Sequence, residues 1–164
     1  MMKSLNPKVN QFIEQFTALY DGQPWYGDSL CQILENVTPR KGFWQPAQDA
    51  HSIAQLISHL IYWRQSLIKR LAGDLHYKSS MQSDENWKSN EQLKKEGWKS
   101  LMNSLAESQG QLLSLLSKQK DSLLKKKYSD QATFQEVITG ILQHDLYHTG
   151  QIAYIKSIYP KNKK

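Results

Sequence analysis

Thr133-Phe-Gln-Glu-Val-Ile-Thr-Gly-Ile-Leu-Gln-His144-Asp-Leu-Tyr-His148-Thr-Gly-Gln-Ile-Ala-Tyr-Ile155 repeats isoleucine and leucine at helical spacing, and no proline follows until Pro160. It therefore predicts one long helix. Residues four apart differ by about 40° around a helix axis and about 6 Å along it, so the imidazoles of His144 and His148 project from one face. That is the spacing with which two nitrogens grip one metal ion. At about 100° per residue, Val137, Ile141 and Ile155 fall within about 20° of His148, which puts the pair on the apolar stripe that faces a core. A buried polar group left without a partner costs about 1–3 kcal/mol, so two imidazoles in adjacent turns ask for a shared partner. The same spacing also occurs on solvated faces and in hydrogen-bonded cores. A third ligand on another inward helix face separates these cases.

The second long helix, expected from about Ser52 to Leu71, supplies that residue. His59 lies within Ile53-Ala-Gln-Leu-Ile-Ser-His59-Leu-Ile-Tyr-Trp63, which is apolar on most sides. Ser52 and Ser66 fall within about 20° of it and Gln55 within about 40°, a mixture that suits the lining of a polar cavity. Alone, His59 reads equally as a core histidine bonded to a serine or a carbonyl. With His144 and His148 also facing inward, the three together favour a site.

The rest of the chain frames this pair of helices. Asn6-Pro7 marks a helix start, and Val9, Phe12, Ile13, Phe16, Leu19 and Tyr20 continue it at three- and four-residue steps. Asp21-Gly22-Gln23-Pro24 breaks or kinks this first helix, which resumes through Leu30, Ile33, Leu34 and Val37; Trp25 and Tyr26 at the break read as packing residues. Residues 38–50 form a loop whose Phe43-Trp44 packs down on the helices. His51 sits at a helix start and His76 in the polar linker 72–90, so neither is expected in the site. A third helix is expected from Glu91 to Ser117, loosened at Gly110. A charged loop follows over residues 121–131. No segment shows the period-two alternation of a strand, so the expected class is all-α: a four-helix bundle in a single domain over residues 1–164.

Composition removes several classes of function. The single cysteine, Cys31, allows no intrachain disulfide and points to a reducing, cytoplasmic setting. Met-Met-Lys-Ser-Leu-Asn-Pro lacks the apolar centre of a signal peptide. No run approaches the 18 or so apolar residues of a membrane span, so no membrane partner is expected. The net charge of +6 resides in Lys94-Lys95, Lys125-Lys126-Lys127 and the tail Lys161-Asn-Lys-Lys164. These read as solvated loops and ends, and no nucleic-acid-binding motif accompanies them, so no nucleic acid is expected either.

Ala50-His-Ser-Ile-Ala-Gln-Leu-Ile-Ser-His59-Leu-Ile-Tyr-Trp63, followed about 80 residues on by His144-Asp-Leu-Tyr-His148-Thr-Gly-Gln-Ile152, resembles the DinB/YfiT-like superfamily over nearly the whole chain. The resemblance implies a four-helix bundle with a divalent metal held by three histidines, one on the second helix and two on the last. His59, His144 and His148 match those positions one for one. It also implies a homodimer and, from the family's characterised enzymes, transferase or isomerase chemistry that uses a low-molecular-weight thiol. A homodimer is suggested as well by Ile53, Ile57, Ile61 and Ile68, which lean away from His59 as though left for a second copy.

Three neutral imidazoles suit zinc, nickel, copper or iron, with zinc or nickel the expected occupant, and they leave positions open for water or a small-molecule substrate. Such an ion lowers the pKa of a thiol or a water, so the expected activity is thiol-dependent transfer to a small electrophile. Metal-dependent hydrolysis and non-catalytic binding of a metal or small ligand are the alternatives. Asp145 occupies the slot that holds glutamate in His-Glu-x-x-His proteases. It lies about 60° from His148 and reads either as a catalytic base or supporting group at the cavity edge or as a polar residue bordering the stripe. Tyr147, about 100° away, reads as packing. Metal affinity is expected to fall as pH drops through the histidine range near 6.5.

Overall fold

Helices form where apolar periodicity follows a cap. In a computed structural model, which describes residues 6–160, they are α1 Pro7–Tyr20, α2 Leu30–Leu34, α3 Pro39–Gly42, α4 Ile53–Leu71, α5 Asn90–Glu96, α6 Trp98–Ser117 and α7 Phe134–Ile158. A short 3-10 helix, Asp121–Lys125, precedes α7. The chain is all-α; no strand occurs among the described residues, only a single bridge between Lys127 and Thr133. Residues 1–5, read above for a leader, and the basic tail 161–164 lie outside the described residues. No helix among those described is long and apolar enough to cross a membrane.

The two helices that carry the histidines begin on reciprocal caps. At α4 the Ser52 hydroxyl accepts from the Gln55 amide at 3.1 Å while the Gln55 side chain accepts from the Ser52 amide at 3.1 Å. At α7, Thr133 and Glu136 make the same exchange at 3.3 and 2.7 Å. Each satisfies two amides that the first turn leaves without partners, a contribution of about 1 kcal/mol per cap. α1 is closed from outside: the Asp121 carboxylate accepts from the Lys8 and Val9 amides at 3.2 and 3.0 Å.

α4 and α1 each pack against both α6 and α7, so four long helices enclose the interior. That interior falls into two apolar clusters. One gathers Leu30, Ile53, Leu56, Ile57, Leu60, Leu93, Leu105 and Ile152, and the other Phe16, Leu67, Leu112, Leu116, Phe134 and Ile138. Between them runs a buried polar layer of Arg64, Ser108, Gln109 and Asp145. The histidine site borders this layer.

Several expectations are corrected. The third helix is two helices, broken at Gly97, whose φ of +90° is strained for any other residue; Gly110 lies unbroken within α6. Trp25 does not pack, being 96% exposed. Ile53, Ile57 and Ile68 are buried within the chain itself, because α6, joined by α5 near Ile53 and Ile57, covers the side of α4 expected to face a second copy. Ser52, Gln55 and Ser66 are buried. They tie down neighbouring segments, through Asn90 at 2.7 Å, the Lys88 carbonyl at 3.2 Å and the Tyr128 hydroxyl at 2.8 Å.

Candidate metal centre

Helix geometry presents His144 and His148 one turn apart on α7, and the packing of α4 against α7 brings His59 to meet them. The Nε2 atom of His144 lies 3.0 Å from Nε2 of His59 and 3.1 Å from Nε2 of His148. The ligand atoms of all three lie within 4.8 Å of one another. His59 and His148 are buried, while His144 keeps 25% of its side chain exposed and marks the open side.

The outer nitrogens decide what the inner ones offer. His59 donates from Nδ1 to the Asn86 carbonyl at 2.9 Å, and His148 donates from Nδ1 to Gln151 Oε1 at 2.6 Å. With those protons on Nδ1, both rings turn a lone pair inward from Nε2. His144 can bring at most one proton into the space between three nitrogens, so one close nitrogen pair faces lone pair to lone pair. A cation relieves that repulsion, and three neutral imidazoles are a donor set for a first-row divalent metal. The residues fit the ion.

Electrostatics favours the ligand form. Burial, reinforced by the two neighbouring rings, pushes the His59 pKa down to about 4, and burial lowers that of His148 as well. A lowered pKa means these two rings stay neutral below the ordinary histidine range. Three histidines at about 6.5 would release nearly three protons on binding Zn2+ at pH 5.5. Fewer than about two are expected here, because His59 has none to release. Calorimetry of Zn2+ binding in buffers of different ionisation enthalpy counts them, and release of nearly three would contradict the buried geometry.

Two further groups complete the surroundings, and neither was apparent from the sequence. Arg64 is fully buried and its Nε lies 2.7 Å from Asp145 Oδ2, with no exposure of either side chain. Arg64 sits within about 20–60° of Ile57, Leu60 and Leu67 on α4, so a cation on an apolar stripe was the available signal that a buried anion must face it. Asp145 therefore does not stand at the open mouth. It lies on the core side of His144, with Oδ1 at 4.0 Å from His144 Nδ1, and both of those atoms lack a hydrogen-bond partner.

The second group comes from the linker between α4 and α5. The Trp87 indole stacks on the His59 ring at 3.7 Å, with 9° between the planes, and on the His51 ring at 3.7 Å and 5°. Together with the Asn86 carbonyl it fixes both the tautomer and the plane of His59. A linker without periodicity gave no sign of this. His51 holds no place among the three ligands, and His76 is exposed elsewhere in the linker. Tyr147 is 65% exposed instead of packed, with its ring 5.0 Å from His148. Partners that orient a ligand from outside typically contribute 10- to 100-fold in metal affinity. Trp87→Ala is therefore expected to weaken Zn2+ binding about tenfold, with Trp87→Phe recovering most of the loss. A competition titration against a chromophoric chelator measures both, and an unchanged Trp87→Ala would remove the stack from the site.

A family model described as the DinB superfamily matches residues 27–152 of the chain. No curated protein matches it, and no solved structure does.

Proposed function

The chain belongs to the DinB superfamily, and from that membership we propose that it is a metal-dependent enzyme transferring a small thiol to a small electrophile. The observation that carries this reading is the convergence of three Nε2 lone pairs from His59, His144 and His148 on one point beside a partly exposed edge. Zinc or nickel held there supplies Lewis acidity, which makes a thiol nucleophilic near neutral pH. His59 and His148 are held rigid by Asn86, Trp87 and Gln151, so they need no reorganisation when substrate arrives. In the transfer the thiol gives up its proton, its sulfur bonds to the electrophilic carbon, and the leaving group departs with the bonding pair. The proton passes to water at the exposed edge of His144. Asp145 is already the counter-ion of Arg64, and its second oxygen lies 4.0 Å behind His144 Nδ1, where its negative charge favours a cation on the ligands.

Hydrolysis with Asp145 as base is the second reading, and the burial of that carboxylate speaks against it. Untagged protein loaded with Zn2+ or Ni2+ and offered electrophiles with and without thiols tests the assignment. Consumption that requires the thiol is expected. Turnover without thiol selects the hydrolase, and none under either condition selects a binding protein. A homodimer belongs to the same reading. With the α4 isoleucines covered, the apolar surface left for a second copy includes Trp25, Tyr26 and Leu146. Light scattering from a 19.0 kDa particle at micromolar concentration would exclude the dimer.

A further inference from the structure

Aromatic rings surround the three imidazoles themselves. Trp63, one turn after His59 on α4, stands edge-on to both His59 and His144, with ring centroids 6.3 and 6.2 Å away. Trp87 stacks on His59 at 3.7 Å and stands edge-on to His148 at 6.1 Å. Tyr147 stands edge-on to His148 at 5.0 Å. Trp63 and Trp87 are half-buried and Tyr147 is exposed, so each ring reaches from a ligand histidine to solvent. Together they make an aromatic rim beside the 25% of the His144 side chain that stays exposed.

The polar neighbours of the imidazoles lie on the other side. Asn86, Gln151 and Asp145 face the Nδ1 atoms of His59, His148 and His144, away from the point that the Nε2 atoms share. Two of them are committed further: Asp145 pairs with Arg64 at 2.7 Å, and the Asn86 amide donates to the Met81 carbonyl at 3.0 Å. Lys88, next to Trp87 in the chain, is held by Glu85 and Glu96 at 3.0 and 2.8 Å. Ring surface is therefore what a molecule seated at the Nε2 atoms meets from the protein. The distances also say which molecule that is. No ring of the rim is farther than 6.3 Å from an imidazole, so the rim touches the group bound at the centre itself. In the transfer proposed above that group is the thiol.

We propose that Trp63, Trp87 and Tyr147 select the thiol, and that it is one whose sulfur is carried on an apolar, aromatic body. The sulfur sits at the ion that His59, His144 and His148 would hold, taking the place of a water and giving up its proton to the solvent. The body lies against the rim, where an aromatic ring gains edge-to-face contacts as well as burial. The proposal rests on the reading of the three histidines as a metal centre for thiol transfer and names the thiol class for it.

Phenylmethanethiol and 2-mercaptoethanol have similar thiol acidity and differ in the body. Each is titrated into Co2+-loaded protein, where the sulfur-to-cobalt charge-transfer absorption reports binding without turnover. Phenylmethanethiol is expected to bind at least about tenfold more tightly. Trp63→Leu, which keeps an apolar side chain, and Tyr147→Ala, at a 65% exposed position, are each expected to lower that preference at least about threefold. The preference is a ratio within one protein, so a change in the amount of folded or loaded protein does not imitate it. Equal binding of the two thiols, no absorption with either, or a preference unchanged in both variants would overturn the proposal. Cobalt content of the same samples keeps the two readings apart. A wild-type chain without stoichiometric cobalt refutes the metal centre and the proposal with it, whereas stoichiometric cobalt that binds both thiols equally refutes only the rim.

Discussion

Alanine in place of His144 is expected to weaken Zn2+ binding by more than about 100-fold while leaving the helical content unchanged. Groups that merely orient a ligand contribute 10- to 100-fold, so removing one of three ligands sits at or beyond the top of that range. His144 is the cleanest of the three to remove. Its side chain is 25% exposed, and its Nδ1 holds no hydrogen bond that would be orphaned elsewhere. His59→Ala would in addition strip the Asn86 carbonyl of its donor and Trp87 of its stack. The α7 backbone tolerates alanine, and the two apolar clusters that hold the helices together do not include this position. Chelator competition gives the affinity and far-UV circular dichroism the helicity. His51→Ala and His76→Ala, made alongside, are expected to retain one ion per chain. A His144→Ala protein that binds Zn2+ within tenfold of the wild type would mean that the ion sits elsewhere.

What the sequence revealed of this site, and what it concealed, follows from where the contacts come from. Helical spacing alone places His144 and His148 on one face, and the apolar surroundings of His59 turn it inward. Those three positions were therefore legible before any packing was known. The second long helix was expected to start at about Ser52, and the Gln55 side chain closes the cap on that residue. The break at Gly97 was not, because Gly97 and Gly110 look alike until one is seen to need a positive φ. The Trp87 stack was concealed for a related reason. Its partners lie on other segments, and an aperiodic linker carries no signal of which face it will cover. The isoleucine face of α4 misled because a helix that is apolar all round belongs either in an interface or beneath more of its own chain. Here α6, with α5 at one end, supplies the cover.

Arg64 bears on stability as His144 bears on the metal. Arg64→Met is expected to cost about 3–5 kcal/mol, the range for removing one member of a buried ion pair, because the Asp145 carboxylate is left between two apolar clusters with no cation. That is a large share of the 5–15 kcal/mol that holds a typical domain together. Urea denaturation measures it as a lower midpoint with an unchanged slope. Removing both charges is a different matter. Arg64→Met with Asp145→Leu replaces the pair by apolar groups of similar volume, and such replacements are often neutral or stabilising. The double variant is therefore expected within about 1 kcal/mol of the parent, which gives a coupling energy of at least about 2 kcal/mol across the cycle. It should nevertheless bind Zn2+ more weakly, since the carboxylate behind His144 is gone. Stability and metal affinity then move in opposite directions between the single and double variants. If Arg64→Met costs less than about 1 kcal/mol, the pair is hydrated in solution. If the double variant regains stability and keeps full metal affinity, Asp145 serves the fold alone.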